Sequence, residues 1–317
     1  MEKLIEIKHL KKYFDTPKGQ LHAVDDVNLT IERGKTLGVV GESGCGKSTL
    51  GRTVLRLIEP TAGEVIYKNE NIFAHSKHQL KALRNELQMI FQDPYTSLNP
   101  RMSVADIIAE PLIVSKAYRN KRKREERVSQ LMETVGLSER LQNTYPHELD
   151  GGRRQRIGVA RALATDPQFI VCDEPVSALD VSIQAQILNL LMDLQEQREL
   201  SYMFITHDLS VVKHISDTIS VMYLGQCVEF SSTKELFSNP LHPYTKALLS
   251  AIPLIDYKMR GKKRETIRGE VSSPINCPPG CRFAPRCPLV TEECIGKPVP
   301  LTEVKDGHFV ACINLGR

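Results

Sequence analysis

The chain has 317 residues, 41% of them hydrophobic and 25% charged, and a formal net charge of +4 at pH 7. This composition is typical of a globular protein with a core, and the length allows one large or two modest domains. The small net charge argues against nucleic acid or anionic lipid as the main partner. No run of about 18 apolar residues is present, and the charged, alternating start lacks the apolar region of a signal peptide. We therefore expect a cytosolic chain that does not span a membrane.

The residue pattern predicts strands that alternate with helices. In chain order the predicted elements are strands at 4–7, 24–31 and 36–40, a helix at about 47–58, a turn at 60–63, a strand at 88–91, helices through about 93–165, a strand at 169–173, a helix at 182–198 and a strand at 202–206. Such alternation predicts an α/β fold with a largely parallel sheet covered on both faces. The stretch from about 93 to 165 interrupts it and is predicted to be an inserted helical subdomain.

A glycine-rich loop lies between the predicted strand 36–40 and the helix that follows it. It reads Gly-Glu-Ser-Gly-Cys-Gly-Lys-Ser-Thr over residues 41–49 and fits the phosphate-binding loop pattern. Glycines allow backbone N–H groups to surround phosphates, and a helix N-terminus adds positive charge. Lys47 would neutralise the outer phosphates, and the Ser48 hydroxyl would bind Mg²⁺. The expected nucleotide contacts are Gly41, Ser43, Gly44, Gly46, Lys47, Ser48 and Thr49.

Two acidic residues follow the apolar part of the predicted strand 169–173. Asp173 is expected to hold Mg²⁺, directly or through water. Glu174 projects the other way and is expected to orient or activate the attacking water. Adjacent acids at a strand end are common in α/β folds, but the phosphate-binding loop requires such a pair and favours this reading.

Together, these motifs resemble those of the nucleotide-binding subunit of an ATP-binding-cassette (ABC) transporter. The resemblance implies an ABC-type P-loop NTPase fold that hydrolyses Mg-ATP. It implies that Gln92 binds Mg²⁺ and links the γ-phosphate region to the membrane subunits. It also implies that Asp180 lies in a loop crossing to a partner subunit, and that His207 contacts the γ-phosphate and the catalytic water. It also implies that Tyr13 stacks on adenine, although an aromatic residue near an N-terminal strand often has only a packing role.

The segment Leu149-Asp-Gly-Gly-Arg departs from the family signature Leu-Ser-Gly-Gly-Gln, whose serine donates a hydroxyl to the ATP held by the partner subunit. Asp150, Gly151 and Gly152 are expected to face that nucleotide. Ionised Asp150 cannot donate, and unit charges about 4 Å apart at a surface-like effective dielectric repel by roughly 4 kcal/mol. A helix N-terminus and Arg153 would offset part of this repulsion. We hypothesise that this site is impaired, which requires a non-identical partner; that Asp150 turns away and both sites work stays open.

Apolar periodicity fades after about residue 255, which predicts a nucleotide-binding domain over 1–255 and a small cysteine-rich domain over 256–317. The candidate metal ligands in the second are Cys277, Cys281, Cys287 and Cys294. In number they suit a tetrahedral zinc site or a [4Fe–4S] cluster, and free thiols are a further alternative. We expect Cys312 not to be a ligand.

Residues 91–101, residues 239–253 and the cysteine segment resemble the ATP-binding subunits of dipeptide, oligopeptide and nickel importers. The resemblance covers nearly the whole chain and favours a [4Fe–4S] cluster over zinc. It implies an ATPase that energises peptide import at the cytoplasmic face of the membrane. The implied partners are a second, non-identical ABC ATPase subunit, two transmembrane permeases and, indirectly, an extracytoplasmic peptide-binding protein, but no nucleic acid. Nickel import, a soluble cassette ATPase and a redox-sensing regulator remain alternatives.

Overall fold

The structure is a computed structural model that describes residues 2–116, 118–251, 269 and 272–315. The chain divides into two compact units. The first unit contains Met1–Glu2, Glu32–Lys35 and Ala74–Ile205. The second contains Lys3–Ile31, Thr36–Phe73 and Thr206–Arg317. The domain boundary predicted near residue 255 lies outside the described residues.

Strands and helices alternate along much of the chain. The strands are β1 Lys3–Thr16, β2 Gly19–Glu32, β3 Thr36–Val40, β4 Ala62–Tyr67, β5 Glu70–Asn71, β6 Leu87–Ile90, β7 Phe169–Asp173, β8 Ser201–Thr206, β9 Thr218–Tyr223, β10 Gln226–Ser232, β11 Thr302–Lys305 and β12 His308–Val310. The helices are α1 Lys47–Val54, α2 Lys77–Glu86, α3 Pro94–Ser97, α4 Val104–Val114, α5 Lys121–Thr134, α6 Gly151–Leu163, α7 Val181–Arg198, α8 Leu209–Ile215, α9 Thr233–Ser238 and α10 Pro243–Ser250. Within the described ranges, none of these helices has the length and apolar character needed to cross a bilayer.

The first unit is built on the parallel strands β6, β7 and β8, with Phe169 opposite both Leu87 and Ser201. Every residue of β7 is buried, as is typical of a parallel strand with neighbours on both edges. Helices α3 to α6 fall within the stretch in which helices were predicted, and α4 packs against α5 and α6. This arrangement places Asp173 at the carboxyl end of the central strand β7, where α/β proteins carry polar functional groups.

The second unit contains the parallel pair β3 and β9, which is extended by the antiparallel strands β10, β12 and β11. It also contains a four-stranded sheet in the order β2, β1, β4, β5, in which β1 and β4 are antiparallel. The predicted parallel pairing is therefore found among β6, β7 and β8 and between β3 and β9. It is wrong for the four-stranded sheet, in which β4 pairs antiparallel with both β1 and β5. Residues 60–63 were predicted as a turn, but the last two of them form the start of β4, where Ala62 pairs with Lys11.

The cysteine-rich segment belongs to the second unit and packs against its other strands and helices. Strand β12 pairs with β10, and the Ala311 N–H donates to the Val228 carbonyl at 2.9 Å. Phe283, only 2% exposed, shares an aromatic cluster with Tyr223 and Tyr244. The described part of this segment thus shares a hydrophobic core with the strands that flank the phosphate-binding loop.

Candidate functional site

The loop that follows β3 has a backbone that only glycine adopts easily. Gly46 has φ of 102°, and a Cβ there would lie 1.9 Å from the Ala23 carbonyl oxygen. At Gly41 an added Cβ would lie 2.2 Å from the Met222 carbonyl oxygen. These contacts require bare backbone, and α1 begins directly after the loop at Lys47. The loop therefore ends at a helix N-terminus, the feature that binds phosphate.

Lys47 is only 5% exposed, and its ammonium is held by the loop itself. Its Nζ donates to the carbonyl oxygens of Gly41 at 2.8 Å and Glu42 at 2.9 Å. Ser48 and Thr49 occupy the first turn of α1 and are half-buried, whereas Ser43 and Gly44 are exposed. The predicted phosphate contacts thus form one continuous loop and helix start.

Glu42, at a variable position of the loop pattern, is held from two directions. Its backbone N–H donates to the Tyr244 hydroxyl at 2.9 Å. Its carboxylate accepts from both terminal nitrogens of Arg286, at 2.8 and 3.2 Å. Sequence reasoning assigned no role to Glu42, Tyr244 or Arg286, because nothing in the local pattern links residues about 200 positions apart.

Tyr13, the candidate adenine contact, is half-buried and stacks on the His22 ring, with centroids 4.2 Å apart and planes 15° from parallel. Its hydroxyl donates to the Asp25 carboxylate, which also accepts from Arg282. Burial, together with Asp25, raises the pKa of Tyr13 above its ordinary value. One face of the Tyr13 ring is therefore already stacked, and an adenine would have to stack on the other.

In the first unit, the structure brings together two of the predicted catalytic residues. The Gln92 amide donates to a Glu174 carboxylate oxygen at 3.1 Å. Asp173 is fully buried at the end of β7, while Glu174 is half-buried and has φ of 46°. A non-glycine residue in this left-handed region is strained, and such strain is often found at functional sites. The Glu174 N–H donates to the Ile205 carbonyl at 2.9 Å, which ties the turn to the neighbouring strand β8.

Asp150 caps helix α6. Its carboxylate accepts from the Arg153 backbone N–H at 2.8 Å and lies 3.4 Å from the Arg153 Nε. Both offsetting interactions expected from the sequence are therefore present. Gly151 and Gly152 lie tightly against the neighbouring segment of the same unit, since a Cβ at Gly152 would approach Ile183 to 2.7 Å. The start of α6 is thus fixed by packing as well as by the cap.

The remaining predicted residues lie at starts of helices. Asp180 is exposed and precedes α7, where its carbonyl accepts from the Gln184 N–H at 2.8 Å. His207 is exposed between β8 and α8. The next residue, Asp208, caps α8 by accepting from the Ser210 N–H at 2.7 Å. His207 is therefore presented at a short, capped turn.

The four cysteines predicted as metal ligands do not all line one cavity. Cys281, Cys287 and Cys294 line one small cavity together with Cys312, which is not among the predicted ligands. Cys277 does not line this cavity, although it borders a larger one beside Cys281 and Cys294. The reason is long-range: pairing of β12 with β10 carries Cys312 back to the other three, which sequence proximity does not reveal.

Of the thiols that line this cavity, Cys294 is buried, and Cys281, Cys287 and Cys312 are half-buried. Burial, together with smaller contributions from neighbouring Cys287, Cys294 and Cys312, raises the pKa of Cys281 to about 11. Burial likewise raises the pKa of Cys287 and Cys312. As placed, no group of three or more histidine, cysteine or acidic side chains within the described ranges could hold a metal ion. Four thiol donors therefore line one cavity, but the described residues do not form the geometry of a metal site.

Comparison with known families and relatives gives consistent matches. Residues 24–177 match the family described as ABC transporter, and residues 228–294 match the one described as oligopeptide/dipeptide transporter, C-terminal region. The oligopeptide transport ATP-binding protein OppF of Bacillus subtilis is 54% identical, over 98% of this chain and 96% of that protein. The dipeptide transport ATP-binding protein DppF of Haemophilus influenzae is 51% identical, over 96% of this chain and 95% of that protein.

Solved structures give the same answer at lower identity. The ATP-binding cassette MJ0796, in a dimeric post-hydrolysis state bound to ADP and Pi, is 29% identical with a TM-score of 0.67. The match covers 73% of this chain and 99% of that one. The protein cbiO1 of Clostridium perfringens is 26% identical with a TM-score of 0.67, over 75% of this chain and 92% of that one. The fold is that of an ABC ATPase cassette, and the chain belongs to the ATP-binding proteins of the oligopeptide and dipeptide ABC transporters.

Proposed function

We propose that this chain is the ATP-hydrolysing subunit that energises import of dipeptides or oligopeptides through an ABC transporter. The observation that carries the proposal is the loop of residues 41–49, in which bare glycine backbone, a helix start and the buried Lys47 form a phosphate-binding surface. Peptide as the cargo is supported by relatives named as oligopeptide and dipeptide transport proteins.

Each predicted residue has a defined part in this reaction. Lys47 would neutralise charge on the outer phosphates, and Ser48, Gln92 and Asp173 would supply oxygens to Mg²⁺ when it binds. Glu174 orients the attacking water or accepts its proton, and the hydrogen bond from Gln92 sets the direction of its carboxylate. His207 contacts the γ-phosphate and the catalytic water. Tyr13 offers one ring face to adenine, and Asp180 meets the partner subunit.

The partners follow from the transporter assignment. Two transmembrane permeases would hold this chain at the cytoplasmic face of the membrane, and an extracytoplasmic peptide-binding protein would deliver the cargo to them. A second, non-identical ABC ATPase subunit would pair with this one, so that each signature segment faces the nucleotide of the other subunit.

Hydrolysis by the assembled transporter tests the function. We expect ATP turnover by the chain, its partner ATPase and the permeases to rise when peptide and binding protein are added, and not when Ni²⁺ replaces the peptide. Stimulation by Ni²⁺ alone would support the nickel-importer alternative. ATP turnover that is the same with and without the cargo and the permeases would support a soluble cassette ATPase.

Substitution of Asp150 tests the asymmetry of the two sites. We expect Asp150→Ser to raise turnover of the assembled transporter about twofold, because removing the carboxylate relieves repulsion of the γ-phosphate at the impaired site. Serine is an equally good helix cap, and Ser76, Ser103 and Ser232 cap other helices of this chain in the same way. An unchanged melting temperature would show that the cap is intact. With the cap intact, an unchanged rate would show that both sites already work with aspartate.

We also propose that the cysteine cavity binds a [4Fe–4S] cluster, with zinc as the alternative, through Cys281, Cys287, Cys294 and Cys312. Such a group would be a covalent brace for the C-terminal segment, and it requires deprotonated thiols and some closure of the cavity. Cys312→Ser should abolish the brown colour and iron content of anaerobically purified protein, whereas Cys277→Ser should keep both. The opposite pattern would restore the set that includes Cys277, and a colourless protein with one zinc would select the zinc alternative.

A further inference from the structure

We propose that Arg286, a residue of the cysteine segment, is a positioning residue for ATP binding. Its two hydrogen bonds to the Glu42 carboxylate hold the phosphate-binding loop in the conformation that binds phosphate. The inference rests on the proposed nucleotide function of the loop and adds to it a structural dependence on the C-terminal segment. Every contact that carries it lies within the second unit.

The first contact, between Arg286 and Glu42, is a paired ionic hydrogen bond. The Arg286 guanidinium makes two hydrogen bonds to the Glu42 carboxylate, at 2.8 and 3.2 Å, and its side chain is only 7% exposed. Solvent-exposed ion pairs contribute little, but a two-pronged, largely buried arginine–carboxylate pair has a fixed geometry. The Tyr244 hydroxyl accepts from the Glu42 N–H at 2.9 Å. Glu42 is thus fixed through its side chain and its backbone.

The second step leads from Glu42 to the phosphate site. The Glu42 carbonyl accepts from the Lys47 ammonium at 2.9 Å, and it also accepts from the Cys45 N–H at 3.3 Å. Glu42 therefore holds the position of the charge that would meet the outer phosphates. If Glu42 shifts, Lys47 and the loop backbone lose a fixed point, and preorganisation of the anion site is reduced.

A second arginine makes a parallel contact four residues earlier. Arg282 is 6% exposed, pairs with Asp25, and donates to the Leu224 carbonyl. Asp25 in turn accepts from the Tyr13 hydroxyl. One short turn of the cysteine segment therefore braces both the phosphate loop and the candidate adenine contact.

The turn that carries these arginines is anchored independently of the ion pairs. Phe283 lies between them in sequence, and its ring packs edge-on against Tyr223 at a centroid distance of 5.3 Å. The Ala284 and Cys287 N–H groups donate to the Cys281 and Ala284 carbonyls, at 3.0 and 3.2 Å. The arginines are thus presented from a fixed support, as positioning residues require.

Equilibrium binding of Mg-ATP to the full chain tests the proposal. We expect Arg286→Gln to raise the Kd about tenfold, which corresponds to about 1.4 kcal/mol, and Arg286→Lys to lie between this variant and the wild type. The assembled transporter should show a raised KM for ATP, with kcat within about twofold of wild type, because the substitution removes binding rather than chemistry. A merely structural role would lower the melting temperature without this split.

Glu42→Gln breaks the same pair while leaving the cysteine segment untouched. It should give a similar loss, and the double variant Glu42→Gln with Arg286→Gln should lose no more than the weaker-binding single variant. Lys305→Ala is the matched control, because Lys305 lies in the same C-terminal segment as Arg286 and pairs with Glu235 at 3.0 Å on the protein surface. Breaking this pair should leave the Kd for Mg-ATP unchanged.

Lys47→Ala distinguishes a failure of the proposed nucleotide function from a failure of the positioning role of Arg286. If wild type and Lys47→Ala bind Mg-ATP alike, the nucleotide function itself fails. If Lys47→Ala binds Mg-ATP more weakly than wild type, yet folded Arg286→Gln and Glu42→Gln both bind like wild type, only the positioning role is overturned. Additive losses in the double variant would also overturn it, because the two residues would then act separately.

Discussion

Glu174→Gln is expected to lower ATP hydrolysis by the assembled transporter about 10²–10⁴-fold, the range attributed to a positioned general base. Glutamine has the same shape and can still accept the hydrogen bond that the Gln92 amide makes to this side chain at 3.1 Å. Geometry is therefore retained while the proton acceptor is lost. Turnover of [γ-³²P]ATP at saturating concentration measures the effect, and Mg-ATP binding should persist.

A matched control for this substitution is Glu196→Gln, which makes the same chemical change at an exposed position of helix α7. It should leave turnover unchanged. Under the asymmetric hypothesis, Glu174 serves the one working site, so its loss stops the whole transporter. A Glu174→Gln transporter that hydrolyses ATP at the full rate would exclude both the role of Glu174 and the asymmetry.

Lys47→Ala is expected to weaken Mg-ATP binding by about 10–100-fold and to abolish hydrolysis with it, since hydrogen bonds to charged groups contribute about 1.5–3 kcal/mol. Nζ also holds the Gly41 and Glu42 carbonyls, so its loss loosens the loop as well as removing the charge. Isothermal titration with Mg-ATP measures the affinity.

Arginine should not replace this lysine. Lys47 is 5% exposed, and a planar guanidinium does not fit where a compact ammonium is enclosed by loop carbonyls. Arg52→Ala removes a cation from the exposed end of the same helix and should bind Mg-ATP like wild type. Wild-type affinity in Lys47→Ala would show that the loop of residues 41–49 does not hold the triphosphate.

The central strands could be predicted from sequence because their signal is local. Strands β3 and β7 match the predicted ranges, since every residue in them is buried and apolar runs mark such strands. Strands β1 and β2 extend well beyond the predicted ranges 4–7 and 24–31, because their remaining residues are partly exposed and polar. Sheet pairing, not composition, keeps those residues extended.

Helix α1 shows the opposite error. The prediction ran to about residue 58, but the helix ends at Val54, and Arg56 adopts φ of 49°. Its guanidinium donates to the Ile72 carbonyl and pairs with Glu59. Arg56 thus leaves the helical conformation where local periodicity would continue the helix, and its contacts with Glu59 and Ile72 hold it there.

The residues of the candidate site also differ in whether local sequence is enough to predict them. Loop residues 41–49, Asp173 and Glu174 could be found from sequence, because chemistry fixes their types and spacing within one turn or one strand end. Arg286 and Cys312 could not, because their neighbours are brought to them by sheet pairing and aromatic packing across long stretches of chain. The C-terminal segment, predicted as a small cysteine-rich domain over 256–317, contacts the phosphate-binding loop directly, because its Arg286 pairs with Glu42.

Peptide transport by vesicles reconstituted with the permeases, the partner ATPase, the binding protein and this chain tests the central claim most directly. ATP supplied on the side where this chain lies should drive labelled oligopeptide across the membrane. A non-hydrolysable analogue, or Glu174→Gln protein with ATP, should not. Peptide accumulation that is equal with and without hydrolysable ATP would contradict the assignment of this chain as the subunit that converts ATP hydrolysis into import.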